Sequence, residues 1–84
     1  MTYSTILWDP DDDPDGNVRH LAEHDITKGE VIQVLANPLG RDVSRSSGRP
    51  IMFGETTAGR LIAVVYQEID RHTVYPITAF DIEP

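Results

Sequence analysis

The sequence predicts an α+β domain in which two N-terminal helices pack on one face of an antiparallel sheet, in the order β-α-α-β-β-β. An alternating apolar segment opens the chain, and two segments with helical apolar spacing follow it. The second half holds three strand-like segments separated by turns. Helices and strands that are segregated along a chain are typical of the α+β class. The length of 84 residues predicts one domain, residues 1–84.

The first strand and the first helix are separated by an acidic turn. Residues 3–8 alternate in polarity and predict a strand, which Asp9-Pro10 ends because the residue before a proline and the proline itself disfavour regular structure. The aspartate-rich residues 11–16 have the composition of a turn. A short helix is predicted from about Asn17 to Glu23, with an apolar stripe centred on Leu21.

The second helix has the clearest local signals. Thr27 and Glu30 form a Thr-x-x-Glu capping box, in which each side chain bonds to a backbone amide of the other residue. Ile26 and Val31 occupy the two positions of a hydrophobic staple around this cap. Asn37-Pro38 predicts the end of the helix.

The second half of the chain predicts a meander of antiparallel strands. The polar residues 40–48 predict a loop, or an edge strand around Val43. Three strands follow, at residues 51–55, 61–67 and 74–80. Because Pro76 has no amide hydrogen, the last strand must lie at an edge or carry a bulge there. The apolar periods predict a core of Ile6 or Leu7, Val31, Val34, Leu35, Leu61, Val64 and Ile77.

Composition limits the classes of function. Fourteen acidic residues face seven Lys and Arg, for a net charge of −7, so a polyanion is repelled on average and a basic partner is easier to explain. The absence of cysteine excludes disulfides and thiolate chemistry. With no signal-peptide pattern and no apolar run of membrane-spanning length, we expect a cytoplasmic protein without membrane contact. Because a domain this small has a thin core, we also consider a homo-oligomer.

A series of short motifs runs along nearly the whole chain. They are Trp8-Asp9-Pro10, Asn17, His24-Asp25-Ile26-Thr27, Glu30-Val31, Val34-Leu35, Asn37-Pro38, Arg49, Gly54, Gly59-Arg60, the apolar run 61–66 and the strand 74–79. Their order resembles the BrnT-type toxins, a branch of the RelE-like ribonuclease toxins of bacterial type II toxin–antitoxin pairs. In that family, His-Gly-Val-Ser stands where this chain has residues 24–27. The resemblance implies a toxin-family protein that binds a cognate antitoxin protein and, if active, cleaves RNA, free or on the ribosome, without a metal or other cofactor.

Three residues are candidates for such catalysis. His20 and His24 are spaced i, i+4 and share one side of the first helix, and histidine suits proton transfer near neutral pH. Arg60 follows a tight turn at the start of a strand, which makes it the preferred ligand for the scissile phosphate. The alternative is that His20 is solvated and that His24 caps or packs at the helix end.

Further residues are candidates for RNA binding. Arg41, Arg45 and Arg49 are interleaved with serines and are expected to hold phosphates, unless their segment is simply a solvated loop. Tyr66 and Tyr75 are of the type that stacks on bases, although such tyrosines are more often half-buried sheet residues.

Two patterns suggest metals, but neither is complete. His20-Leu21-Ala22-Glu23-His24 spells H-x-x-E-H, which needs a third ligand and a cleft to form a zinc site. Asp11, Asp13, Asp15 and Gly16 match the first half of a calcium loop, but Ala22 stands at the twelfth position, where a bidentate Glu is required. We therefore predict no metal site.

Three functions remain open at this point. The first is the toxin-family protein with metal-independent endoribonuclease activity. The second is a non-catalytic acidic interaction module with the same fold, which the net charge of −7 favours. The third is an acidic metal-binding domain.

Overall fold

The computed structural model describes residues 3–82, which form two helices and five strands. The order of elements is β1 (Thr5–Ile6), α1 (Asn17–Glu23), α2 (Lys28–Ala36), β2 (Gly40–Val43), β3 (Pro50–Glu55), β4 (Leu61–Asp70) and β5 (Thr73–Asp81). The predicted α+β class is confirmed, and both helices lie where the sequence places them. Four strands rather than three follow the helices, because the segment around Val43 forms the edge strand β2, which confirms the second of the two alternatives predicted for it.

The five strands form one mixed sheet in the order β1-β5-β4-β3-β2. The pairs β2–β3, β3–β4 and β4–β5 are antiparallel. β1 pairs parallel with β5, with Thr5 opposite Thr73 and Ile6 opposite Val74. The prediction of a purely antiparallel sheet is therefore wrong at this pair. Parallel pairing requires a long connection, and the helices and the three intervening strands supply it.

The core lies between the helices and one face of the sheet. Alternation along β4 directs Ile62, Val64 and Tyr66 towards the helices, where all three are buried. α1 packs against β5, and α2 packs against β3 and β4. The buried cluster consists of Leu21, Ile26, Val31, Val34, Leu35, Met52, Ile62, Val64, Tyr66, Val74 and Ala79. Val31, Val34, Leu35 and Val64 confirm their predicted places in the core.

The remaining predicted core residues are less buried, although Ile6, one of the two alternatives predicted in β1, packs against the core. Leu61 and Ile77 are only partly buried, Leu7 is 40% exposed, and Ile6 packs at the margin of the core. Leu61 belongs to the opposite face of β4 because the face of a strand alternates at every residue. Ile77 is the extra residue of a β-bulge: Pro76 lies opposite Tyr66 and Thr78 opposite Val65, so Ile77 has no partner. The prediction of a bulge at this proline is confirmed.

The side chain of Asn17 completes the parallel ladder between β1 and β5. Continued pairing requires the Pro76 amide to donate to the Leu7 carbonyl, but proline has no amide hydrogen. Asn17 Nδ2 donates to the Leu7 carbonyl and to the Pro76 carbonyl, each at 3.0 Å. Its Oδ1 accepts from the Asp9 amide at 2.9 Å. Asn17, only 2% exposed, thus acts as a peptide group inserted between the two strands.

The capping box of α2 is confirmed. The Glu30 amide donates to Thr27 Oγ1 at 3.3 Å, and the Thr27 amide donates to Glu30 Oε1 at 3.0 Å. Ile26 and Val31 are both buried, as expected for the staple residues. Within residues 3–82, no helix is long and apolar enough to span a membrane.

Candidate functional site

The two histidines lie on the exposed surface of α1, near its C-terminal end. Their ring centroids are 6.0 Å apart, and both side chains are exposed. α1 ends at Glu23, Asp25 two residues later has a left-handed φ of +60°, and the amide of Ile26 donates back to the carbonyl of Leu21. The predicted proximity of His20 and His24 is therefore observed, on an open surface of the domain.

Arg60 lies at the same end of the molecule, and its guanidinium is fully engaged by the fold. Nε and Nη2 form a bidentate pair with Asp81, at 2.5 and 2.8 Å. Nη1 donates to the carbonyl of Asp25 at 2.7 Å and to both carboxylate oxygens of Glu30, at 3.1 and 3.2 Å. Nη2 also reaches the carbonyl of His24 at 3.4 Å. The five N–H donors of the guanidinium all have acceptors.

These contacts make Arg60 a clamp between three parts of the chain. It joins the α1–α2 junction, the first turn of α2 and the end of β5. The Asp81 carboxylate raises the pKa of Arg60, and the guanidinium in turn lowers the pKa of Asp81. A phosphate could bind this guanidinium only by displacing carboxylates that already neutralise it. The role of Arg60 as a phosphate ligand stays a prediction, and the geometry favours a structural role.

Two of the three predicted phosphate-binding arginines, Arg45 and Arg49, lie far from this clamp. Arg45 and Arg49 belong to the loop that joins β2 to β3, and Arg41 lies on β2 itself. Arg60 follows the opposite end of β3, which at about 3.3 Å per residue is some 20 Å away. Hydrogen bonds to the Ser44 and Ser47 hydroxyls hold the loop together. The structure therefore does not bring Arg45 and Arg49 into one site with Arg60.

The two tyrosines considered for base stacking are held within the fold. Tyr66 is 3% exposed and packs edge-on against Tyr3, with ring centroids 5.8 Å apart. Burial raises the pKa of Tyr3 to about 12, with a further contribution from Tyr66. The hydroxyl of Tyr75 donates to Asp9 at 2.5 Å. Tyr66 is thus buried away from any base, whereas Tyr75 is half-buried and its hydroxyl is engaged by Asp9.

Asp9 is a structural residue that sequence reasoning treated only as a strand breaker. Its Oδ2 accepts from the Tyr75 hydroxyl and, at 2.9 Å, from the first amide of α1, that of Asn17. These two bonds lower the pKa of Asp9, and the carboxylate in turn raises the pKa of Tyr75 to about 12. A Cβ on Gly16 would lie 2.7 Å from Asp9 Cβ, so only glycine permits this approach. Asp9 lies three residues beyond the end of β1 and accepts from the first amide of α1, and no local pattern in the sequence marks this contact.

The acidic turn consists of local bonds and one ion pair. Asp13 accepts from the Asp15 amide at 2.9 Å, which is an Asx turn, and Asp11 pairs with Lys28 Nζ at 2.8 Å. Among residues 3–82, no group of three or more His, Asp or Glu side chains is placed to hold a metal ion.

The surface of residues 3–82 includes two depressions with mostly apolar walls. One has a volume of about 330 Å³ and lies between β1 and α2, with Tyr3, Trp8 and Ile32 in its walls. The other has a volume of about 250 Å³ and lies on the sheet face that the helices leave uncovered. Sequence reasoning missed the second, although the uninterrupted apolar run of β4 is a signal that both faces of that strand are apolar.

Compared with known proteins, the chain matches no family model, no curated protein and no solved structure. The resemblance to the BrnT-type toxins therefore rests on the sequence motifs given above.

Proposed function

We propose that this chain is a cytoplasmic, protein-binding domain of the toxin–antitoxin type, similar in fold to the BrnT-type toxins, which acts by holding a partner protein rather than by cutting RNA. The observation that carries the proposal is the complete engagement of the Arg60 guanidinium by Asp81, Glu30 and two backbone carbonyls. The partner expected from the resemblance is a cognate antitoxin protein.

The chemistry of metal-free RNA cleavage explains why this observation matters. Attack by a ribose 2′-hydroxyl builds negative charge on the phosphate, and a preorganised cation must offset it. Arg60 donates to the backbone carbonyl of His24, and two carboxylates already neutralise its guanidinium. The net charge of −7 adds an average field that repels RNA. Both effects oppose binding of a phosphate at this end of the molecule.

One feature of the backbone supports the resemblance itself. Within residues 3–82, Asp25 is the one non-glycine residue with a positive φ, at +60°. It stands where the family motif His-Gly-Val-Ser has its glycine, and glycine is the residue that best adopts this conformation. Aspartate tolerates it better than most other residues do. The motif at residues 24–27 thus coincides with a helix end that needs this geometry.

Two measurements test the proposal. Purified protein should cut neither free RNA nor ribosome-bound RNA in EDTA. Co-expressed with the tagged protein encoded beside it, the chain should co-purify as a complex. RNA cleavage that His24→Ala abolishes would refute the non-catalytic assignment, and the absence of a complex would refute the partner assignment.

The ribonuclease remains a second candidate because His20, His24 and Arg60 lie at the same end of the molecule. It predicts cleavage in EDTA that depends on pH between about 5 and 8. It also predicts a loss on the order of 10²-fold in rate for Arg60→Lys. Wild-type cleavage with an unchanged rate in Arg60→Lys would place the phosphate site elsewhere.

A further inference from the structure

The structure points to a docking surface on the sheet face that the helices leave uncovered, and we propose that this face binds a basic amphipathic helix of a partner protein. We call it the open face, and it comprises Ile51, Phe53, Ala63, Val65, Phe80 and Ile82. The inference rests on the proposed function, that the domain acts by binding a protein, and it names where and what the domain binds.

The open face has the shape of a shallow channel along β4. Ala63 forms its floor, and the rings of Phe53 and Phe80 stand on the neighbouring strands directly beside it. Phe53 in turn lies over Gly40 of β2, where a Cβ would be only 2.5 Å from the ring. Ala63 at the centre and Gly40 under the Phe53 ring thus leave a depression of about 250 Å³. This volume suits a few aliphatic side chains.

The occupant must satisfy its own backbone hydrogen bonds. β4 is paired on both sides, with β3 and β5, so it offers no free amide or carbonyl to an added strand. A helix meets this condition, and an amphipathic helix presents an apolar stripe to such a surface. The channel floor from Leu61 to Val65 is about 13 Å long at about 3.3 Å per residue, which matches two to three helical turns.

The exposure of the channel walls shows that the fold itself does not cover them. Phe80, opposite the buried Ala63, is 41% exposed, and Ile82, whose amide donates to the Leu61 carbonyl, is 45% exposed. Contiguous apolar patches of this kind on small soluble domains mark interaction sites, because isolated exposed apolar residues are common but clustered ones are not.

Charge decides between a basic partner and a second copy of this chain. Asp42 lines the depression, and Glu55 lies on the same face one row away, opposite Leu61. Arg45 and Arg49 are exposed in the loop that joins β2 to β3. A second copy would bring a net charge of −7 against −7, whereas a helix with Lys or Arg beside its apolar stripe meets complementary charge.

The test uses a synthetic helix of about 18 residues, five turns, with a leucine stripe flanked by lysines. A scrambled peptide of the same composition controls for charge alone, and a peptide with glutamates in place of the lysines controls for the apolar stripe alone. Binding is measured by titration calorimetry on the full chain, and the site is mapped from amide chemical shifts. The matched variants are Ile82→Ser, on the open face, and Ile32→Ser, in the groove between β1 and α2, since both isoleucines are 45% exposed.

We expect the leucine–lysine helix to bind, and Ile82→Ser to weaken that binding about tenfold or more while Ile32→Ser changes it less than twofold. Shift changes should centre on Phe53, Ala63 and Phe80. Equal binding of the scrambled or glutamate peptide, or an equal effect of Ile32→Ser, would overturn the proposal. So would light scattering that shows a homodimer which Ile82→Ser dissociates.

The docking surface and the proposed function can be refuted independently of each other. A complex with the neighbouring gene product that Ile82→Ser leaves intact would keep the function and overturn the docking surface. RNA cleavage by a protein whose open face still binds the helix would overturn the function and keep the surface.

Discussion

The two faces of the sheet are organised in opposite ways. On the helix-covered face, polar groups between the elements are tied to specific partners: Asn17 spans two strands, and Arg60 joins the helix junction to β5. On the open face, the side chains are mostly apolar, and Phe80 and Ile82 remain 41% and 45% exposed among the described residues. The polar and charged residues of the covered face thus maintain the fold, and the apolar residues of the open face are accessible.

This difference shows how chemistry and accessibility separate in a small domain. A thin core buries too little apolar area to hold five strands and two helices by packing alone, so charge-assisted and buried hydrogen bonds carry part of the stability. Groups used in that way are not available to a ligand. A variant showing that one of these polar residues of the covered face is dispensable for stability would contradict this difference between the two faces.

Asn17→Ala should have the largest effect, about 3 kcal/mol of unfolding free energy. It leaves the Leu7 carbonyl, the Pro76 carbonyl and the Asp9 amide without their partner at a buried position. Urea unfolding at neutral pH measures the loss. Asn37→Ala, at the exposed end of α2, is the matched control and should change stability by less than about 0.5 kcal/mol. Equal midpoints for the two variants would contradict the role of Asn17.

Arg60→Met should cost about 1.5 kcal/mol, because it keeps the aliphatic stem but removes the charged contacts to Glu30 and Asp81. The figure is discounted because the Arg60 side chain remains 26% exposed. Arg19→Met, at an exposed position on α1, is the control and should have little effect. If Arg60→Met unfolds with the wild-type midpoint, the clamp is not a structural element and its availability to phosphate must be reconsidered.

Thr27→Ala should cost about 1 kcal/mol, because the amide of Glu30 loses its cap. Thr27→Ser keeps the hydroxyl and should retain most of the stability. The two substitutions are compared by thermal and urea unfolding. A loss in Thr27→Ser as large as that in Thr27→Ala would mean that the methyl group, rather than the cap, carries the effect.

Contacts between residues that are close in the chain could be predicted from the sequence, and contacts between distant residues could not. The capping box of α2 depends on residues three apart, and the end of α1 depends on its own apolar stripe, so both were predicted correctly. The parallel pairing of β1 with β5 depends on residues 68 apart, and no local pattern marks it. The bulge at Pro76 was predictable because proline lacks an amide donor. It was not predictable that Asn17 supplies the replacement donor.

The candidate site shows the same limit. The spacing of His20 and His24 on one helix face was predictable from helical geometry. The fixed position of Arg60 after a tight turn was also predictable, but its acceptors, Glu30 and Asp81, lie 30 and 21 residues away in the chain. Whether a guanidinium is engaged depends on such long-range contacts, which a single sequence does not reveal.

The smallest expected effect is a loss of stability in acid. Contacts with Arg60 lower the pKa of Asp81, and bonds from Tyr75 and Asn17 lower that of Asp9, from an ordinary value of 3.8. A carboxyl whose folded-state pKa is depressed stabilises the fold above its unfolded-state pKa, and this contribution disappears as the pH falls through the folded-state pKa. Stability should therefore decline below about pH 4. Urea midpoints in Asp81→Asn should decline less between pH 5 and pH 3 than those of the wild type, and parallel declines would contradict the assignment.

The most direct test of this difference measures two quantities, stability and peptide binding, for one variant from each face. Arg60→Met and Ile82→Ser are each assayed for unfolding free energy and for binding of the leucine–lysine helix, at a temperature where both remain folded. We predict that Arg60→Met loses stability and keeps its affinity, because its contacts are internal, and that Ile82→Ser keeps stability and loses affinity about tenfold. The reverse pattern, with affinity lost in Arg60→Met and unchanged in Ile82→Ser, would contradict the assignment of structure to one face and binding to the other.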